Sequence, residues 1–198
     1  MSISDVFITA GITLTMAAGC AAAAGPECEQ LKGLKADKLL GYLAADRADW
    51  QPRCALYAMT QIGVQQYTPA IGLLIRSLDY RLPDEVWKNP YGLGHLVDTA
   101  TIYPAADALS LIGKPAVAAL VTSIGSGDSS HLIREHAIYT LGLILRDYES
   151  ETVVVLSRAS RTASDPATAQ RLSDAAKDAA AKCRPDLRNV CINALNVP

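Results

Sequence analysis

The chain has 198 residues, half of them hydrophobic and 19% charged, and its formal net charge is −2 at pH 7. A chain of this length can bury a sizeable core, as one domain or as a short array of repeats. So weak a negative charge provides no general surface for neutralising phosphates, which argues against a nucleic-acid partner.

The first predicted element is a leader over residues 1–25. Its stretch 6–25 has no charged residue and ends in small residues, as a secretory signal peptide does before its cleavage site. The MSISD in front lacks Lys and Arg and includes Asp5, which such a peptide does not favour. Two alternatives therefore stay open: a retained membrane anchor, since about 20 apolar residues just reach the spanning length, and lipidation at Cys20, since MAAGC weakly resembles a lipobox. We expect export, to the periplasm or outside the cell.

The cysteines support export. Once the leader is removed, an even set remains: Cys28, Cys54, Cys183 and Cys191. Four cysteines allow three pairings. The simplest pairs Cys28 with Cys54 and Cys183 with Cys191, so that each end of the chain is stapled to itself. Cysteine is absent from residues 55–182, which favours the staples over four unrelated buried thiols, because a short array frays at its ends.

A helical phrase, ALYAMTQIG at residues 55–63, returns as AADALSLIG at 105–113. We expect the apolar side chains of each copy to face the second helix of the same unit, and the final glycines, Gly63 and Gly113, to be C-caps. The predicted core positions are Ala55, Ala58, Met59 and Ile62 in the first copy and Ala105, Ala108, Leu109 and Ile112 in the second.

A second helix is predicted after each copy. Thr68 is the expected N-cap in the first unit, with Pro69 at the first helical position, and Pro115 opens the helix of the second unit. Each helix carries an apolar stripe at i, i+3, i+4 and i+7 spacing. The stripes are Ile71, Leu74, Ile75 and Leu78 in the first unit and Val117, Leu120, Val121 and Ile124 in the second.

A third, degraded copy lies at residues 136–144, HAIYTLGLI, and matches CALYAMTQI at 54–62. Its second helix is expected at 150–162, although the run 153–156 has a poor helical period and a buried strand is the alternative there. Another helix is predicted to start after Asp165, and LKGLKADKLLGYLAAD supplies one before the array. Both flanking helices are more polar, as capping elements of a solenoid are.

The segment KPAVAALVTSIGSGDSSHLIREHAIYTLGLI resembles the HEAT and HEAT-like repeats. Pro115 opens one helix, Leu120 lies in its core, and Asp128 precedes Arg134 and an Ala-rich helix. The first two units lack the Arg, so a continuous polar ladder between units is not expected. Over about residues 50–160, the resemblance implies an all-α fold, a short right-handed α-solenoid of about three HEAT-like helix pairs with capping helices. The predicted parts are a leader (1–25), an N-terminal capping region (26–49), repeats (50–162) and a C-terminal capping helix with a disulfide-closed tail (163–198).

An insert, RLPDEVWKNPYGLGHLVDTATI at residues 81–102, separates the first two units. Its prolines and glycines disfavour a regular helix, and loops this long inside compact folds are usually functional or disordered. Its aromatic residues argue against disorder, because Trp and Tyr are favoured interface anchors. The alternative is that Trp87 and Tyr91 fold the loop back onto the neighbouring helices. The candidate partner-binding residues are Tyr80, Trp87, Tyr91, His95 and Tyr103.

His131, Glu135 and His136 form the one cluster of histidine and carboxylate in the sequence. At roughly 100° per residue, His131 lies beside Glu135, but His136 lies about 140° away round the helix, unlike the paired histidines of a zinc protease. We expect a solvated helix face here. No phosphate-binding glycine loop, nucleophile elbow or paired-cysteine metal site appears, so neither a metal nor a cofactor is expected.

Two functions follow as hypotheses. The first is an exported scaffold, not an enzyme, that presents a HEAT-like surface and the aromatic insert to another envelope protein. A retained leader makes the same module a membrane-tethered adaptor. The second is an enzyme or small-ligand-binding protein that uses Glu85, His95 and Asp98 in the insert. Against the second, no nucleophile is paired with a base at a recognisable spacing.

Overall fold

A computed structural model describes residues 26–87, 102–146 and 151–182, and these ranges are helical with no strand. The all-α prediction is therefore confirmed for them. They contain nine α-helices: α1 (Ala36–Leu43), α2 (Pro52–Val64), α3 (Ile71–Arg76), α4 (Asp84–Trp87), α5 (Pro104–Ile112), α6 (Val117–Gly125), α7 (His131–Leu145), α8 (Glu151–Thr162) and α9 (Pro166–Lys182). Short 3-10 segments lie at Pro26–Leu31, Arg47–Asp49, Thr68–Ala70 and Lys114–Ala116. The predicted leader lies outside the described residues.

The two copies of the repeated phrase form α2 and α5 and are buried as predicted. Every predicted core position is between 0% and 4% exposed. The expected packing partner was wrong, however, because α2 packs most extensively on α5 and α1 rather than on α3. A Cβ built on Gly63 would come within 2.8 Å of the Ala108 Cα. Small residues at this crossing therefore let the backbones of α2 and α5 approach closely.

The ends of α2 and α5 differ. Gly113 is the C-cap of α5, as predicted, with φ 77°. Gly63 lies inside α2 instead, which continues to Val64. Gln66 takes the left-handed conformation there, with φ 48°, and bonds from Gln66 N to Gly63 O and from Tyr67 N to Ile62 O close the helix end. The C-cap prediction is confirmed for the second copy and wrong for the first.

The second helices of these units start two residues later than the sequence suggested, at Ile71 and Val117. Thr68 is not an N-cap, because the 3-10 segment Thr68–Ala70 precedes α3 and Tyr67 flanks it without a side-chain cap. The segment Lys114–Ala116 precedes α6 in the same way. Both apolar stripes point into the core, which fully buries the second and fourth members of each: Leu74, Leu78, Leu120 and Ile124.

The last three helices pack differently from the predicted third unit. The run 153–156 lies within α8, so the strand alternative is wrong. α8 packs most extensively on α9, while α7 packs most on α6 and then on α5. The helix predicted after Asp165 is α9, and the Asp165 carboxylate caps it by accepting bonds from Thr168 N and Oγ1, both 2.7 Å.

The disulfide predicted between Cys28 and Cys54 is confirmed, with a Cα–Cα distance of 5.3 Å. It ties the first 3-10 segment to α2, and both cysteines are fully buried. The second predicted pair, Cys183 with Cys191, lies outside the described residues.

No single helix in the described ranges combines the length and apolar character needed to cross a bilayer. Among the described helices, only α5 taken together with Lys114–Gly125 passes on length and apolar composition, and the two are bent by 110° at their junction.

Candidate interaction site at the base of the insert

The insert leaves and rejoins the helical body at one point. Leu82 N donates a hydrogen bond of 2.9 Å to Ile102 O. Both side chains are buried, Leu82 at 0% and Ile102 at 3% exposure. The chain between them therefore starts and ends on a fixed base. Its first part forms α4, a single helical turn where the sequence predicted none, and residues 88–101 lie outside the described residues.

One aromatic cluster lies on the α3 side of this base, and we call Arg47, Trp50 and Tyr80 the Trp50 cluster. The Trp50 and Tyr80 ring centroids are 5.1 Å apart, edge to face at 77°. The Arg47 guanidinium lies 5.9 Å from each centroid, within the range of cation–π attraction. It also donates to Asp79 Oδ1 and to Arg76 O, both at 2.8 Å. The cluster therefore joins the segment before α2 to the chain that leads into the insert.

Side-chain packing and the Arg47 cation stabilise the Trp50 cluster. Burial, together with repulsion from Tyr42, raises the pKa of the Tyr80 hydroxyl, and Arg47 partly opposes this. Tyr80 is therefore neutral at physiological pH. Trp50 Nε1 is buried and has no hydrogen-bond partner among the described residues. Such an unmet donor costs about 1–3 kcal/mol.

A second ring pair lies on the α5 side of the base. Tyr103 stacks on His136 with centroids 4.0 Å apart and planes tilted by 49°. His136 Nδ1 lies 2.6 Å from Leu78 O, so the imidazole links α7 to the chain just before the insert. The insert therefore begins next to the Trp50–Tyr80 pair and ends next to the Tyr103–His136 pair.

Two predictions fail at this second pair. Tyr103 is only 7% exposed, so it is a core residue rather than a partner-binding anchor. His136 is 3% exposed and does not lie on a solvated face. His131 does lie on such a face, where its Nδ1 is 3.5 Å from Glu135 Oε2. The angular offset between the two histidines places one in water and the other in the core.

The remaining predicted site residues are distributed as follows. Tyr80 is half-buried in the Trp50 cluster, and Glu85 is exposed on α4. Tyr91, His95, Asp98 and the side chain of Trp87 lie outside the described residues, so no described contact brings Glu85, His95 and Asp98 together. The described ranges contain no group of three or more His, Cys, Asp or Glu able to hold a metal ion.

Asp128 and Arg134 are the two residues that match the polar positions of HEAT repeats, and both make local contacts. Asp128 is exposed in the turn before α7, where its backbone N–H donates to Ser126 Oγ. Arg134 donates to the Ser129 carbonyl of the same turn. Both residues therefore stabilise the turn between α6 and α7.

Sequence reasoning missed Arg47, Trp50 and His136. Trp50 and Tyr80 are far apart in the chain, and no local pattern connects them. His136 was considered only with its neighbours on α7, whereas its partners are Leu78 and Tyr103. One signal was available: a Trp two residues before a Pro-started helix, in a chain with two Trp in all.

The chain matches no protein-family model, and no curated protein or solved structure matches it significantly. The base of the insert and the packing around it are therefore the basis for a function.

Proposed function

We propose that the protein is an exported scaffold that presents the insert at residues 81–102 to another envelope protein. The observation that carries this proposal is the buried hydrogen bond between Leu82 and Ile102, flanked on both sides by aromatic pairs. A segment anchored at both ends loses less conformational freedom on binding than a free one, which favours affinity. The anchors lie in the core, so the helical body serves as a rigid support.

We further propose that this body is a short right-handed α-solenoid of about three HEAT-like helix pairs. Its support is the succession of helix contacts. α1, α2, α5 and α7 are neighbours in turn, and α3, α6 and α9 are neighbours in a second run. Stacked helix pairs produce two such runs, and HEAT-like repeats typically use their concave surface to bind proteins.

The Cys28–Cys54 disulfide supports an oxidising compartment, such as the periplasm or the cell exterior. The uncharged stretch 6–25 of the predicted leader supports the same destination. Retention of residues 6–25, or lipidation at Cys20, would make the same scaffold a membrane-tethered adaptor.

The test is a capture experiment from native envelope extract with the mature chain as bait. Partners are identified by crosslinking and then titrated against purified wild type and Trp87→Ala. We expect the substitution to weaken capture by about 2 kcal/mol or more, roughly 30-fold, as for an interface hot spot. The melting temperature should change little, because an interface anchor is not a core residue.

Trp50→Ala is the matched control, since Trp50 is 8% exposed. It should lower the free energy of unfolding by about 3–5 kcal/mol, as for a buried aromatic residue. Should Trp87→Ala instead lower stability and leave capture unchanged, Trp87 would be a packing residue and the proposal would fail.

A further inference from the structure

A cleft of about 340 Å³ opens between α8 and α9. This volume is at the lower end of the range for small-molecule sites, about 300–1,000 Å³. The cleft shares no residue with the base of the insert. The described residues that line it combine cations, hydroxyl groups and small apolar side chains, with no Asp or Glu among them.

Two cations line the cleft, one from each helix. Arg161 on α8 has no hydrogen bond or ion pair with any described residue, so its guanidinium keeps all of its donors. Lys177 on α9 lies 3.0 Å from Asp174 Oδ1, so its charge is partly compensated. Arg161 is therefore the stronger anchor for an anion entering the cleft.

Three serine side chains also stand among the described residues that line the cleft. The Ser160 hydroxyl donates to Ala169 O at 2.8 Å and is already engaged. Ser157 and Ser173 are half-buried, and neither hydroxyl bonds to another described residue. Two hydroxyl donors are therefore available in the cleft that Arg161 also lines.

The rest of the wall is apolar. Val153 and Ala176 contribute alkyl surface, and Ala176 is itself 6% exposed within the packed α8–α9 pair. A ligand that filled the cleft would combine an anionic head with a short hydrocarbon body. An inorganic ion would leave this alkyl surface in water.

We propose that the cleft binds a small organic anion with an oxyanion head, a carboxylate or a phosphate monoester. Arg161, Ser157 and Ser173 bind the head by charge-assisted hydrogen bonds. The hydrocarbon body lies against Val153 and Ala176. The site is independent of the proposed scaffold role, since it uses none of its residues.

Calorimetric titration of the full chain at low ionic strength tests this with four probes: hexanoate, hexyl phosphate, inorganic phosphate and hexanol. We expect one of the two amphipathic anions to bind at one site, more tightly than inorganic phosphate and hexanol. The tighter of the two identifies the head group. Equal binding of hexanol, equal binding of inorganic phosphate, or no binding of either anion would overturn the proposal.

Substitutions on α8 locate the site. Arg161→Ala should weaken binding about tenfold or more, since it removes a charged hydrogen-bond donor. Arg158→Ala is the matched control, because Arg158 is exposed on the same helix and does not line the cleft. It should change affinity by less than about twofold. An equal loss in both variants would indicate non-specific attraction and would overturn the proposal.

Ser157→Ala and Ser173→Ala should each weaken binding by a few-fold, roughly the value of one hydrogen bond. Circular dichroism confirms that each variant is folded. Trp87→Ala should leave anion binding unchanged, so failure of the scaffold role and failure of this site give different results.

Discussion

The two copies of the repeated phrase, 55–63 and 105–113, have nearly the same core and different ends. Ile62 and Ile112 are both buried, at 0% and 4% exposure. Their final glycines, in contrast, meet different constraints. Gly63 sits inside α2, where the backbone of α5 leaves no room for a side chain, and Gly113 ends α5 with a backbone angle that disfavours any side chain. Identical residues at matching positions thus have separate physical roles.

The first copy also has two features that the second lacks. Gln66 supplies the left-handed residue after α2, a place usually taken by glycine. The Cys28–Cys54 disulfide ties α2 to the start of the described chain. A repeat in sequence therefore specifies a common core, while neighbouring contacts decide how each copy ends.

The largest expected effect tests the shared core. Ile62→Ala and Ile112→Ala should each lower the free energy of unfolding by about 2–5 kcal/mol, because each leaves a cavity in a packed site. Urea unfolding measures both. Val64→Ala is the control, since Val64 is 59% exposed, and it should change stability by no more than about 0.5 kcal/mol. A loss below about 1 kcal/mol at only one isoleucine would show that the copies are not equivalent.

The disulfide is attached to the helix of the first copy and not to that of the second. Its cysteines are 26 residues apart, and the chain-entropy model gives such a loop about 3–4 kcal/mol. Reduction of the wild type, and the double variant Cys28→Ala/Cys54→Ala, should each lower stability by that amount. Non-reducing peptide mapping checks the pairing in the same sample. Unchanged unfolding in reductant would contradict the assignment.

Substitutions at Gly63 and Gly113 should differ in how their cost in stability depends on the size of the new side chain. Gly63→Ala should cost about 1–3 kcal/mol through overpacking, and Gly63→Ser more, because the atoms it meets include the Ala108 backbone. At Gly113 the cost comes from φ, so Ala and Ser should each cost about 1–3 kcal/mol and differ little. Thermal unfolding of the four variants separates the cases. A size dependence at Gly113 would contradict the backbone explanation.

The smallest expected effect is a gain in stability. Gln66→Gly should stabilise the chain by about 0.5–1 kcal/mol, since it removes left-handed strain that outweighs the added freedom of the unfolded state. Gln65→Gly is the neighbouring control: Gln65 has φ −78°, and glycine there should be mildly destabilising. Equal effects at both positions would show that strain at Gln66 is unimportant.

Local sequence features were enough to predict much of the helical body. Apolar spacing indicated α3 and α6, and Asp165 indicated the start of α9, because both depend on residues within one or two turns of each other. The Cys28–Cys54 pair followed from its proximity along the chain. In α8, the apolar run 153–156 has a poor helical period and therefore pointed misleadingly to a strand. The run is helical, and α9 packs on one side of this helix.

The failures involve contacts between distant segments. The predicted packing partner of α2 was wrong because the apolar period of a helix shows which face is buried and not which element covers that face. His136 and Trp50 were missed as parts of the site for the same reason, since their partners are the carbonyl of Leu78 and the ring of Tyr80. No spacing rule within a single helix encodes such pairs.

Because of the backbone hydrogen bond between Leu82 and Ile102, the segment between them can be replaced by another sequence. When the two ends of a segment are held together by the body, each doubling of its length costs only about 0.6 kcal/mol of closure entropy. The body therefore places little restriction on what is inserted there. Residues 83–101 are a natural graft point, at which foreign peptides or a minimal turn can replace the native segment while α3 and α5 keep their register.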